Sequence, residues 1–158
     1  MLALAVVALA GRRRHEDAQG ELPHLVDASI DELLALLNSL RGLESDAEPA
    51  ASSPLAQLQL DIIGLLDMRR DQLDTRARRV LERHRAAALA AAGRTREALV
   101  LYDQLAGKYP RDERIRVAYA QLLLAGDDEP TLQRALSQWR EVAARSPPRT
   151  EPWYRAKY

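Results

Sequence analysis

The sequence predicts an all-α fold, and three observations lead there. Ala and Leu each occur 27 times in 158 residues, whereas Val, Ile and Thr together supply 15, too few β-branched positions to furnish a sizeable sheet. Apolar residues recur at i, i+3 and i+4 over long stretches, the period of a helix that buries one face. Residues that start and stop helices stand at the ends of those stretches. The 23 basic and 23 acidic side chains cancel, so no long-range field steers nucleic acid, and no nucleic-acid partner is expected. With no cysteine there is no disulfide framework, zinc ribbon or thiol nucleophile, and packing alone must hold the fold. Arg outnumbers Lys 21 to 2, a bias expected from base composition in an Ala-rich chain more than from phosphate recognition.

The chain opens on an apolar segment, residues 1–11, in which Met1 to Ala10 precede Gly11 and the cluster Arg12, Arg13 and Arg14. Ten residues are too few to span a bilayer, which needs about 20. A secretory signal would carry its positive charge before the apolar run, although Ala8-Leu9-Ala10 resembles a cleavage site. The remnant of a membrane helix whose start is missing, a core helix and a disordered segment all remain open. The compartment is open with them, cytoplasmic or membrane-associated and periplasmic. Residues 12–28, polar and punctuated by Gly20 and Pro23, read as a linker.

A helical hairpin is expected over 29–74. Ser29 and Glu32 form a capping box, in which the two side chains satisfy the first unpaired amides of a helix. Leu33, Leu34, Leu36, Leu37, Leu40 and Leu43 then share one apolar face that ends near Gly42. Glu44 to Ser53, with Pro49, is a connection. Pro54 sits where a first-turn proline belongs, and Leu55, Leu58, Ile62, Leu65, Leu66 and Leu73 carry a second amphipathic helix. Neither Gly nor Pro occurs between Asp67 and Ala92, so this helix either runs into a third or breaks near Asp74-Thr75, where the aspartate would cap a new start. The break is expected.

From Arg79 onward the sequence repeats. Ala86 and Leu89 recur 34 residues later as Ala120 and Leu123, whereas Ala98, Tyr102 and Pro110 recur 37 residues later as Ala135, Trp139 and Pro147. The difference places a three-residue insertion in the turn around Gly126 to Pro130. Alanines at these positions let two helices approach closely, the aromatic ring fills the wedge against the next pair, and proline ends the second helix. Gly93 supplies a left-handed stop between the helices of the first unit.

This half of the chain resembles the tetratricopeptide repeat, whose second-helix signature is close to Gly93-Arg-Thr-Arg-Glu-Ala98-Leu-Val-Leu-Tyr102 with Tyr109-Pro110. Tyr119-Ala120, Leu123, Ala135-Leu136, Trp139 and Pro147 match less cleanly because of the insertion. Trp153 falls where a third unit would begin. Glu82 and Arg116 occupy the position of the family's first-helix tryptophan, and Leu105 and Val142 replace a usual alanine. The resemblance implies helical hairpins over 75–158, two complete units and the start of a third, stacked as a right-handed α-solenoid. A third unit cut short at Tyr158 would make the chain a fragment of a longer repeat protein and leave Trp153, Tyr154 and Tyr158 partly uncovered.

Catalytic patterns are not found. His15-Glu16-Asp17 lacks the two-histidine helical spacing of a metal site, His84 reads as a packing residue, and Asp127-Asp128-Glu129 reads as helix capping more than as a cation site. No cofactor, metal or small-molecule substrate is expected. The resemblance instead implies a concave groove, lined by Arg83, Ala87 and Ala90 from one unit and Arg114, Val117, Gln121 and Leu124 from the next. The arginines would pair with acidic groups and the apolar residues would take apolar anchors. The family's chaperone-binding carboxylate clamp, built on lysine and asparagine, is not supported by Arg83, Ala87, Val117 and Gln121 at its positions. The expected function is therefore a non-enzymatic protein-interaction scaffold for a peptide or helix. Alternatives are an accessory region of a longer enzyme or sensor and a membrane-tethered assembly factor anchored through residues 1–10.

Overall fold

The computed structural model describes residues 25–44, 54–126 and 128–145, with side chains omitted at 41–44 and 54. Among these residues the regular structure is entirely helical, as the composition requires. The chain divides into two compact units at Gly93/Arg94. The first contains α1 (Ile30–Glu44), α2 (Pro54–Met68), a 3-10 turn (Arg70–Gln72) and α3 (Thr75–Ala91), and the second contains α4 (Thr95–Lys108), α5 (Glu113–Leu124) and α6 (Glu129–Arg145). The division falls between the two helices of the first expected repeat unit, not at the 74/75 boundary read from the sequence.

Each helix of the first unit begins for a local reason. At α1 the Ser29 amide and hydroxyl both donate to Glu32 Oε2 at 2.9 Å, and the Glu32 amide returns a bond to Ser29 Oγ. The Ser29 backbone amide, and next its hydroxyl, hold the Glu32 carboxyl below the usual glutamate range. Helix α2 opens on Pro54, which lacks only an amide that would have been unpaired there. It stops at Met68, and after the 3-10 turn Asp74 caps α3 by accepting the Ala77 amide at 2.6 Å. The expected break is therefore present. Leu73 belongs to the extended residue after the turn and not to α2, yet it remains buried, because the turn folds it back onto the same core.

Leucine and isoleucine make that core. Leu33, Leu37 and Leu40 of α1 and Ile62 and Leu66 of α2 retain no solvent exposure, and Leu81 and Ala88 extend the cluster onto α3. Burial of each large aliphatic side chain contributes about 1.5–3 kcal/mol. Leu25 and Ala28, within the stretch read as a linker, are also buried there. The Arg69 guanidinium donates to the carbonyls of Val26 and Ala28, tying this segment to the end of α2. The rest of the expected linker, the apolar segment 1–11, the connection at 45–53 and the expected third unit lie outside the described residues.

Glycine ends α3 as expected. Ala92 caps the helix and Gly93 takes φ 75°, which a side chain would disfavour. In the second unit α5 packs on both α4 and α6. Ala120 of α5 has no exposed surface and meets Trp139 and Val142 of α6, with Val117 against the same cluster. Ala86, Ala98 and Ala135 are likewise without exposed surface, and Tyr102 is buried. The turn before α6 is shorter than the insertion suggested. Asp128 accepts from the Thr131 amide and hydroxyl, so the helix begins at Glu129 and takes Pro130 into its first turn, where proline costs nothing.

Candidate partner-binding surface

Two polar ties fix how α5 presents itself in the second unit. The Tyr119 hydroxyl donates to Asp103 Oδ1 at 2.9 Å, and the Arg134 guanidinium reaches both that oxygen, at 3.2 Å, and the phenol oxygen. One residue from each helix thus meets at one point. The Tyr119 ring stacks on Tyr102 with centroids 6.2 Å apart and planes 17° from parallel. Burial pushes the Tyr119 phenol up to about 12, reinforced by the Asp103 hydrogen bond and charge and opposed by Arg134. The second tie is Arg116, which donates to the Pro110 carbonyl at 3.2 Å and to Gln138 Oε1 at 2.8 Å. Arg145 of α6 donates to the same carbonyl. Arg116 stands where the resembled family has tryptophan, and here it binds the α4–α5 turn to α5 and α6 by hydrogen bonds.

With α5 held in this way, Arg114, Val117, Gln121 and Leu124 follow a 3-4-3 spacing, which confines them to an arc of about 80° on the helix. Val117 forms the floor of this stripe, half-buried against Ala120, Trp139 and Val142. Arg114 and Gln121 are exposed, and Leu124 retains 50% exposure. Arg111, in the turn before α5, is also exposed.

The other expected residues lie on α3, in the first unit. Arg83, Ala87 and Ala90 are all half-buried. Arg83 Nε is out of solvent and its side chain is engaged, so it is not a free cation. Glu82, at the other tryptophan position, accepts from Arg70 at 3.1 Å. Arg85 reaches Asp67, and burial lowers its affinity for the proton. His84 is 2% exposed and its Nε2 lies 3.1 Å from Asn38 Oδ1, so it packs on the core and ties α3 to α1.

Among the described residues no group of His, Cys, Asp or Glu is placed to hold a metal ion, and no helix is long and apolar enough to cross a membrane. His15-Glu16-Asp17 lies outside them. Comparison of the chain with protein-family models, with curated proteins and with solved structures finds no match.

Proposed function

We propose that this chain is a non-enzymatic helical-repeat scaffold, organised like the tetratricopeptide repeat, that binds a peptide or helix of another protein. The observation that carries the reading is the α5 stripe. It combines a half-exposed leucine, an exposed arginine and an exposed glutamine above a floor packed on Trp139. An apolar side chain flanked by polar groups on a rigid helix is the arrangement by which helical surfaces seat a partner. The recurrence of Ala86, Leu89, Ala98 and Tyr102 as Ala120, Leu123, Ala135 and Trp139, all of them buried, supports the repeat organisation.

Affinity capture from the native host with the wild type and an Arg114→Glu/Leu124→Ser variant tests this. Both residues are exposed, so the variant keeps the fold, and its circular dichroism melt should match the wild type. The expected result is recovery of a discrete partner by the wild type and its loss with the variant. Equal recovery by the two proteins would remove the α5 stripe as the binding surface.

A further inference from the structure

We draw no further inference here: the strongest candidate, the outer face of α6 on which Leu136 stands 52% exposed between half-buried Leu132 and Ala143, is an apolar surface, and nothing in the structure shows what covers it.

Discussion

Replacing Gln59 with methionine should stabilise the protein. Gln59 stands on α2 between Ala56 and Ile63, which are 0% and 1% exposed, and is itself 1% exposed. Its amide nitrogen is buried with no hydrogen-bond partner among the described residues. A buried polar group left unpaired costs about 1–3 kcal/mol, because the hydration lost on folding is not replaced. Methionine has nearly the same length and volume, so Gln59→Met removes that cost without opening a cavity or forcing neighbouring side chains aside. The expected gain is about 1–2 kcal/mol in urea denaturation followed at 222 nm, and a rise in Tm of about 2–4 °C per kcal/mol for a chain of this size. Gln59→Glu supplies the opposite sign, since it buries a carboxylate at the same place. Should Gln59→Met prove less stable than wild type by 1 kcal/mol or more, the amide is paired in solution and the reasoning fails.

Three further outcomes follow from the same geometry. Ala120→Trp should destabilise by at least about 1–3 kcal/mol, because Ala120 has no free surface between Val117, Trp139 and Val142; an unchanged thermal melt would deny the close α5–α6 contact. Asp74→Ala should cost about 1 kcal/mol by removing the acceptor for the Ala77 amide, measured by the same denaturation, whereas no loss would mean that α3 does not start there. Tyr119 should ionise above the ordinary tyrosine range in an absorbance titration at 295 nm. Its pKa is raised in the folded state, so its contribution is fully present below about pH 10 and is lost as pH climbs through about 12, and Tyr119→Phe should flatten that alkaline decline. A wild type and a Tyr119→Phe variant with identical alkaline profiles would contradict the buried hydrogen bond to Asp103.

What could be read from the sequence divides by range. The capping box at Ser29 and Glu32, the proline at the start of α2, the Asp74 cap and the left-handed Gly93 are decided within a few residues, and each stands where the spacing put it. The faces of α1 and α2 were legible because period alone separates Leu33, Leu37 and Leu40 from their polar neighbours. Leu73 was assigned to the wrong element for the same reason: burial continues through the 3-10 turn, and a periodic pattern does not register a break that keeps its leucine inside. The difference in repeat offset points to a turn reaching Pro130, whereas the Asp128 cap makes that proline a first-turn residue of α6.

Long-range polar pairing was not legible. Asn38 and His84 are 46 residues apart, and Asp103, Tyr119 and Arg134 come from three helices. The arginine bias conceals two uses that look the same in sequence. Arg69, Arg116 and Arg145 spend their guanidinium groups on carbonyl oxygens within the fold, whereas Arg114 faces solvent. The proposed surface inherits this ambiguity. Of the two arginines expected in the groove, Arg83 is half-buried and engaged and Arg114 is exposed.

The most direct test of the α5 stripe as a docking surface is photo-cross-linking in the native host from a benzoylphenylalanine placed at Gln121, with Gln104, an exposed residue of α4, as the control position. The account predicts a discrete heavier adduct from position 121 that the Arg114→Glu background suppresses, and none of the same mass from position 104. No adduct at 121, or the same adduct from both positions, would contradict it.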